Sequence, residues 1–380
     1  MAAQLHRAVA MLALAAAGAC TPAPPEPTAS VLSITELLGP ADPGSFTRAV
    51  APRAFVFPDD HGPHPAFRTE WWYFTGNLSA SGIGDGDFGY QLTFFRSGLA
   101  SDPEPRDSAW ATSQAYMAHF ALSDAGATDN GCRSYERFAR GAGGLAGAGT
   151  QPFRVWLEDW SAEGGGHLPP IRLRAAAEEV AIDLVLANGK PPVAQGDRGL
   201  SRKGHDSGNA SHYYSYTRLP TAGQVMVGGE SHEVAGLSWM DREWSTSSLD
   251  EGVVGWDWFA LQLDDGRDLM AYQLRRTDGS ADPLSAGSLV APDGTATSLA
   301  AADYRIEPLA TWHSPETGRT YPSRWRLSLP SEQLVLEIEP LLADQELSHS
   351  FVYWEGAVRF RGSAAGEPVA GRGYVELTGY

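Results

Sequence analysis

Apolar and polar residues alternate with a period of two along much of the chain. The clearest runs are Val180, Ile182, Leu184 and Leu186, and later Leu334, Leu336 and Ile338. Because successive side chains of a β-strand point to opposite faces, this period predicts strands with one buried face. Turn residues such as Asp264-Asp265-Gly266 separate the runs and favour hairpins. The pattern predicts an all-β fold.

Some strands have apolar residues on both faces. The segment around Trp256 and Trp258 is of this kind, as expected where a sheet lines a cavity and also packs outward. Closed barrels are favoured over open sheets because closure removes exposed edges. Polar residues and glycines interrupt the strands near residues 219–229, so we expect two packed barrel domains, residues 51–222 and residues 223–380.

Composition narrows the classes of partner. The chain has 380 residues, of which 43% are hydrophobic and 10% aromatic, so it has ample material for two cores. Its formal net charge of −18 repels the phosphates of nucleic acids, and we expect no nucleic-acid partner. The oligomeric state is not determined by the composition.

The first 19 residues predict an export signal. A short polar start at Arg7 precedes an apolar run over residues 8–17, which is too short to span a bilayer stably. The run ends at Ala17-Gly18-Ala19-Cys20, which resembles a bacterial lipobox. We therefore expect a signal peptide of the lipoprotein type over residues 1–19.

Lipidation of Cys20 would attach the protein to a membrane through an N-terminal anchor and a proline-rich tether, residues 20–50. The predicted location is the cell envelope, as an outer-membrane or periplasm-facing lipoprotein. A secreted or periplasmic soluble protein is the alternative. With Cys20 lipidated, Cys132 has no disulfide partner, and we expect it to be a small apolar filler.

The segment from Arg68 to Trp72 combines an acid with two indoles. On an alternating strand, one of Trp71 and Trp72 points inward and the other outward. Glu70 is a candidate proton donor whose pKa depends on desolvation and on charge pairing. We favour a structural salt bridge between Arg68 and Glu70.

The block Trp239-Met240-Asp241-Arg242-Glu243-Trp244 holds the main candidates for chemistry. Asp241 and Glu243 are two residues apart, so on a strand they share one face, with Arg242 on the other. An acid among indoles is pushed toward its neutral form, as acid catalysis requires. A salt-bridged, non-catalytic block is an equally good interpretation. The predicted ligand-binding residues are Glu70, Trp71, Trp72, Trp239, Trp244, Trp256 and Trp258.

Other catalytic and metal-binding signatures are missing from the sequence. His61 and His64 lack a third spaced His or Cys, so loop hydrogen bonding is favoured over metal binding. The chain has no Gly-x-Ser-x-Gly elbow, no phosphate-binding glycine loop and no Cys-x-x-Cys spacing. We expect neither a metal nor an organic cofactor.

Eight motifs in order along the chain resemble those of one family. They lie at residues 57–64 together with 68–76, 118–122, 156–160, 213–215, 239–244, 255–258, 353–356 and 373–380, and include Arg68-Thr69-Glu70-Trp71-Trp72-Tyr73-Phe74-Thr75-Gly76 and Tyr353-Trp354-Glu355-Gly356. The sequence resembles the AttH-like, carotenoid 1,2-hydratase-related (CrtC) group of secreted lipocalin-like proteins. The resemblance implies two lipocalin-like (calycin) β-barrels packed together.

The resemblance also implies a chemistry. In the carotenoid hydratases, proton transfer from a carboxylic acid is thought to begin the addition of water to an isolated double bond. Asp241, Trp244 and Tyr272 match the hydratase pattern, whereas Arg242 and Glu243 stand where those enzymes carry a His and an Asn. The residues after Tyr272 offer no carboxylate. The predicted catalytic residues are therefore Asp241, Glu243 and Tyr272, with one of the two acids as proton donor.

Three functions remain open from the sequence. The first is an exported lipocalin-like protein that binds, or binds and transforms, a hydrophobic polyene, terpenoid or lipid-like molecule. The second is an acid-catalysed hydro-lyase or isomerase of the carotenoid hydratase type. The third is a non-catalytic envelope assembly or partner-binding protein.

Overall fold

The computed structural model describes residues 44–80, 87–103, 107–128, 130–247 and 249–380. The predicted signal peptide, Cys20 and most of the tether lie outside these residues. The strands are β1 Thr69–Ala80, β2 Asp87–Gly98, β3 Gln114–Asp124, β4 Cys132–Arg140, β5 Ala146–Thr150, β6 Phe153–Leu157, β7 Trp160–Gly164, β8 Ile171–Ala177, β9 Val180–Leu186, β10 Val193–Ala194, β11 Leu200–Arg202, β12 Ala210–Val227, β13 Glu230–Ser245, β14 Val253–Leu263, β15 Asp268–Arg276, β16 Ala286–Val290, β17 Ala296–Ala300, β18 Arg305–His313, β19 Thr320–Leu329, β20 Leu334–Pro340, β21 Glu346–Ser348, β22 Val352–Ala364 and β23 Glu367–Thr378.

Helical structure in the described residues consists of two short 3-10 helices, Asp59–His61 and Pro330–Glu332. Within these same ranges, no helix is long and apolar enough to cross a membrane. The all-β prediction is confirmed.

The strands form two antiparallel sheets. The first has the order β4-β3-β2-β1-β13-β12-β9-β8-β7-β6-β5, with β10 and β11 paired to β12. The second has the order β17-β16-β15-β14-β23-β22-β20-β19-β18, with β21 paired to β22. The first sheet is a nearly closed barrel and the second a half-barrel, so the prediction of two barrel-like bodies is confirmed in this coarser form.

The change of sheet comes later in the chain than the sequence predicted. The boundary predicted at residues 222 and 223 lies inside β12, which continues through a hairpin into β13 of the same sheet. The sheets change between Ser245 and Val253. The polar and glycine residues at 219–229 instead mark a register shift after Tyr216 and the turn of a long hairpin, since Gly228 and Gly229 both have positive φ.

Each sheet has its own apolar core, and the alternating runs supply it. In β9 the side chains of Ile182, Leu184 and Leu186 are buried, while Val185 between them is 43% exposed. Leu334, Leu336 and Ile338 are fully buried in the second core. These burial patterns confirm the strand assignments made from the period of two.

A further apolar layer joins the two sheets. It contains Tyr73 and Trp239 from the first sheet and Trp258, Tyr272 and Tyr374 from the second. Polar contacts cross the same boundary. Asp268 on β15 is buried and binds Lys190 Nζ at 2.8 Å and Arg218 Nη2 at 2.7 Å, which fixes one edge of the contact. A buried ion pair that crosses two sheets sets their register, because either partner alone would be a costly unpaired charge.

The Cys132 thiol is free and touches the Ser123 hydroxyl. Burial raises the pKa of this thiol to about 12, so it stays uncharged and unreactive at neutral pH. This environment supports the predicted role as a filler of the core.

Candidate functional site

A cavity of about 210 Å³ lies between the two sheets, against the outer face of the first one. Its walls come from β1, β2, β3, β12 and β13 on one side and from β14, β15, β22 and β23 on the other. The interior of the first sheet, in contrast, is filled by its own side chains. This cavity therefore lies at the junction of the two sheets and not inside the first barrel.

The alternation of β1 decides which side chains reach this cavity. Trp71 and Tyr73 line it, whereas Trp72 and Phe74 are fully buried in the core of the first sheet. Trp244 on β13 lies in that same core. The sequence assigned both Trp72 and Trp244 to ligand binding, and the structure corrects this, because their strand faces point away from the cavity.

The other predicted indoles lie at the cavity. Trp256 and Trp258 on β14 line its wall together with Trp71. Trp239 stands just outside and donates its indole N–H to Asp241 at 2.7 Å. Contact of these indoles with a ligand stays a prediction.

Glu70 is buried away from the cavity and forms salt bridges with Arg96 and Arg242. The backbone N–H of His64 also donates to it at 3.0 Å. Burial alone would raise the pKa of Glu70, but the Arg242 and Arg96 guanidiniums hold it well below its usual range. Glu70 is therefore an ionised structural group, and its predicted place among the ligand-binding residues is corrected.

The face assignment of the Asp241 block is confirmed. Asp241 and Glu243 both line the cavity, and Arg242 points to the opposite face. Its guanidinium lies 4.0 Å from the centre of the Trp72 ring in the core. Arg242 is engaged there with Glu70, and Glu243 is paired with Lys203, so the salt bridges of this block are made to residues outside it.

Asp241 is a buried acid that accepts three hydrogen bonds. The donors are the Tyr213 hydroxyl at 2.6 Å, the Ser215 hydroxyl at 2.5 Å and the Trp239 indole at 2.7 Å. Burial raises the pKa of Asp241 to about 7 despite these hydrogen bonds, and the charge of Glu243 adds to the rise. A carboxyl group with this pKa can both donate and accept a proton at neutral pH.

Glu243 differs from Asp241 because it has a cation beside it. Lys203 Nζ is 2.8 Å from Glu243 Oε1, and the Ser211 hydroxyl also donates to that oxygen. Burial would lower the pKa of Lys203, but the negative charge of Glu243 raises it overall. The cavity thus holds a Lys203–Glu243 salt bridge next to an acid whose pKa lies close to neutral pH.

The second sheet contributes two further acids that the sequence-based assignment missed. Glu355 on β22 and Glu376 on β23 are directly opposite each other in register, and both line the cavity. Burial and the neighbouring Glu376 raise the pKa of Glu355 well above its usual value. Burial, together with Asp241 and Glu243, raises the pKa of Glu376 to about 7. Two like charges this close cannot both persist, so the pair retains protons at neutral pH.

A signal for these residues was present in the sequence. Glu355 stands between Trp354 and Gly356, and Glu376 between Val375 and Leu377, so each is a lone acid within an apolar strand. Buried acids of this kind are either paired or functional. What the sequence does not indicate is that this face of the two strands meets the first sheet.

Tyr272, the third predicted catalytic residue, does line the cavity. Its hydroxyl lies 3.3 Å from Ser201 Oγ, and the Lys203 ammonium is 5.1 Å from the centre of its ring. Trp258 on β14 is paired with Tyr272 on β15 and with Glu376 on β23, so Glu376 lies at the same level of the sheet as Tyr272, two strands away.

The two loop histidines make the hydrogen bonds that the sequence favoured. His61 Nδ1 lies 2.7 Å from the Tyr214 hydroxyl, and His64 Nε2 lies 3.0 Å from Asp60 Oδ1. The His64 ring also stacks on Trp244, with 3.8 Å between ring centres. Both histidines therefore pack the end of the first sheet.

The sequence profile of the AttH-like family matches residues 48–380. The chain belongs to the AttH-like family. The crystal structure of an AttH protein from Nitrosomonas europaea is 37% identical, has a TM-score of 0.76 and covers 88% of this chain and 100% of that one. The resemblance stated from the eight motifs is confirmed.

Two further proteins are similar to this AttH-like chain. Kievitone hydratase from Nectria haematococca shares the fold, with 15% identity, a TM-score of 0.64 and coverage of 88% of this chain and 98% of that one. Dehydratase asqC from Emericella nidulans is 24% identical over 223 residues. That alignment covers 54% of this chain and 60% of the dehydratase, so the chain spans about three fifths of that relative's length.

Proposed function

We propose that this AttH-like protein is a hydro-lyase that adds water to, or removes water from, a compact hydrophobic molecule in the cavity between the sheets. One observation carries the proposal. Three acids with raised pKa values, Asp241, Glu355 and Glu376, meet the Lys203–Glu243 salt bridge in one aromatic-lined cavity. Acids that still hold a proton near neutral pH, beside a carboxyl group paired with a cation, supply the proton donor and the proton acceptor that acid–base catalysis requires.

For hydration, the reaction is divided between two kinds of carboxyl group. A neutral acid, Asp241 or Glu376, gives its proton to one carbon of a double bond, which leaves positive charge on the other carbon. Water attacks that carbon, and the carboxylate of Glu243 accepts the proton that the water loses. The acid is then a carboxylate and the base an acid, so charge and atoms balance once the proton is returned. Dehydration is the same sequence in reverse.

The aromatic lining supports a cationic intermediate. Trp71, Trp256 and Trp258 line the cavity, and an aromatic ring attracts a cation that lies over its face. A nearby carboxylate adds to this stabilisation in a site that excludes water.

Similarity to named enzymes supports the same reaction class. One relative is a hydratase and the other a dehydratase, which are names for the forward and reverse directions of water addition. The hydratase shares only the fold with this chain, so the arrangement of the acids carries more weight than either name. The Gly-x-Ser-x-Gly elbow absent from the sequence gives no support to a serine hydrolase.

The size of the cavity limits the substrate. A dry cavity of about 150 Å³ in another protein binds benzene, so about 210 Å³ accommodates little more than one substituted ring or a short branched chain. A long polyene would fit only through one end. We therefore propose a compact terpenoid or phenolic molecule, or the end group of a longer one.

The proposal is tested by incubating the purified protein in ¹⁸O-labelled water with a panel of compact alkenes and the matching tertiary alcohols. Mass spectrometry then detects gain or loss of labelled water. We expect turnover that falls as the pH rises through about 7, because the acids lose their protons. Asp241→Asn and Glu376→Gln should each lower the rate by about 10²-fold or more. Asp102→Asn, on the exposed surface, is the matched control. Tight binding without turnover across the panel would instead identify a binding protein.

We also propose that the protein acts at the cell envelope, on the basis of the predicted signal peptide and Cys20. Metabolic labelling with a radioactive fatty acid should label the wild type and not Cys20→Ser. An unlabelled wild type in a soluble periplasmic fraction would favour the alternative of a secreted soluble protein.

A further inference from the structure

A second group of titratable side chains lies beside the carboxyl pair and has no part in the steps above. His119 on β3 is completely buried and bonded on both ring nitrogens. Its Nδ1 lies 2.7 Å from the Tyr353 hydroxyl, and its Nε2 lies 2.9 Å from Glu136 Oε1. Tyr353 is on β22 and Glu136 on β4, so this chain of hydrogen bonds crosses from one sheet to the other.

The protons in this chain have defined positions. Burial lowers the pKa of His119, although Glu136 opposes this, so the ring is neutral. Burial alone would raise the pKa of Glu136, but hydrogen bonds from His119 and Ser350 outweigh this effect and lower the pKa overall, so Glu136 is a carboxylate. Burial keeps Tyr353 protonated by raising its pKa. His119 Nε2–H therefore donates to Glu136, and the Tyr353 hydroxyl donates to His119 Nδ1.

The two ends of the chain lie in different places. The Glu136 side chain is 14% exposed, while His119 is completely buried. At the other end, Tyr353 lines the cavity and shares a strand face with Glu355, two residues further along β22. The chain thus begins at the surface and ends beside the Glu355–Glu376 pair.

The environment of His119 offers few other proton carriers among the described residues. The ring of His349 lies 5.3 Å away between centres, and burial lowers its pKa to about 4, so it is neutral near pH 7. The phenyl rings packed against His119 belong to Phe95 and Phe351, which have no exchangeable proton. Glu136 and Tyr353 are the groups that hydrogen-bond to it.

We propose that Tyr353, His119 and Glu136 form a proton relay between the Glu355–Glu376 pair and the surface. Glu355 gives its proton to the Tyr353 oxygen, and Tyr353 passes its own proton to His119 Nδ1. His119 then releases its Nε2 proton to the Glu136 carboxylate, which exchanges with water. Glu355 loses one proton, Tyr353, His119 and Glu136 each gain one and lose one, and water takes up the proton at the surface; the reverse sequence brings a proton inward.

The use of this relay in turnover rests on the proposed function. A hydro-lyase leaves one carboxyl group short of a proton and another with one too many after each cycle. A substrate or product in the cavity blocks the direct route to water. A path through the wall restores the protonation of the acids while the cavity is occupied.

The relay itself is tested without a substrate. Infrared spectroscopy after a rapid pH jump from 6 to 8 follows the C=O band of the protonated carboxyl pair, which is assigned by its loss in Glu355→Gln and Glu376→Gln. We expect His119→Gln and Tyr353→Phe to slow the decay of this band by about tenfold or more, with the titration midpoint unchanged. His349→Gln, at a neighbouring half-buried histidine outside the relay, is the matched control and should decay like the wild type.

Two results would overturn the relay. One is an unchanged decay rate in both variants. The other is a shifted midpoint with an unchanged rate, which would make His119 an electrostatic neighbour only. Glu136→Gln, at the partly exposed end, gives the same test if His119→Gln fails to fold. Because this test measures no turnover, its outcomes can be interpreted even if the protein has no hydratase activity.

Discussion

Replacing Asp241 with Asn should stabilise the protein at pH 8 and not at pH 4. Asp241 is 5% exposed, and its pKa rises from 3.8 in an ordinary aspartate to about 7 here. In the unfolded chain this carboxyl group ionises freely above pH 3.8, but in the folded state it holds its proton until about pH 7. The contribution of protonated Asp241 to the free energy of unfolding is therefore fully present below pH 4 and is lost as the pH rises to 7.

The magnitude follows from the pKa difference. The pKa differs by about three between the folded and unfolded states, and each pKa unit corresponds to about 1.36 kcal/mol. The free energy of unfolding therefore falls by about 4 kcal/mol between pH 4 and pH 7 and does not fall further above pH 7. Asn is neutral at every pH and avoids this loss. Its amide N–H faces the Tyr213 hydroxyl in place of an acceptor oxygen, which costs about 1 kcal/mol at all pH values. We expect Asp241→Asn to be less stable by about 1 kcal/mol at pH 4 and more stable by about 3 kcal/mol at pH 8.

The assay is urea unfolding of both proteins from pH 4 to pH 8, followed by tryptophan fluorescence and circular dichroism to check for a single transition. Groups common to both proteins cancel in the difference. Asp102→Asn, at an exposed position, should give a pH-independent difference near zero. Parallel stability curves for wild type and Asp241→Asn would refute the reasoning, because they would mean that Asp241 is ionised in the folded state at ordinary pH.

Three further changes probe the packing around the site. Lys203→Met leaves Glu243 unpaired in the cavity wall and should lower the free energy of unfolding in urea by about 3–5 kcal/mol. Adding Glu243→Leu should recover most of this loss, and strictly additive effects of the two changes would contradict the pairing. Trp72→Ala, in the core, should lower the free energy of unfolding by about 3–5 kcal/mol. Trp71→Ala, at the cavity, should lower it by about 1 kcal/mol and should weaken binding of an apolar fluorescent probe. Equal losses of stability would show that the two faces of β1 are not distinct. Glu70→Gln should destabilise by about 3–5 kcal/mol, because two buried arginines lose their carboxylate, without moving the pH dependence of turnover; a shifted pH profile would place Glu70 in the chemistry.

Local pattern was sufficient to predict much of the architecture. The period of two identified buried strand faces such as those of β9 and β20, and the same geometry placed Asp241 and Glu243 on one face with Arg242 on the other. These predictions hold because the orientation of a side chain on a strand depends only on its position in the alternation. The eight motifs added the family, which local physics alone does not give.

The choice between two faces of the same strand was beyond the sequence. Both Trp71 and Trp72 sit on β1, and nothing in their alternation says which face meets the second sheet and which fills the barrel. The partners of Glu70 are also distant in the chain, at Arg96 and Arg242. Two indoles and one acid were consequently assigned to ligand binding although they pack the core.

By itself, the sequence determined that the chain forms strands, which residues share a strand face, and that Asp241 and Glu243 lie together. Only the tertiary structure decided that the cavity lies between two sheets and that Glu355 and Glu376 join Asp241 there. The physical reason is that pairing of β22 with β23 sets Glu355 beside Glu376, and packing of one sheet on the other brings both to Asp241, more than a hundred positions earlier in the chain. The raised pKa values arise from that same burial, so the acid–base character of the site is a property of the assembled sheets.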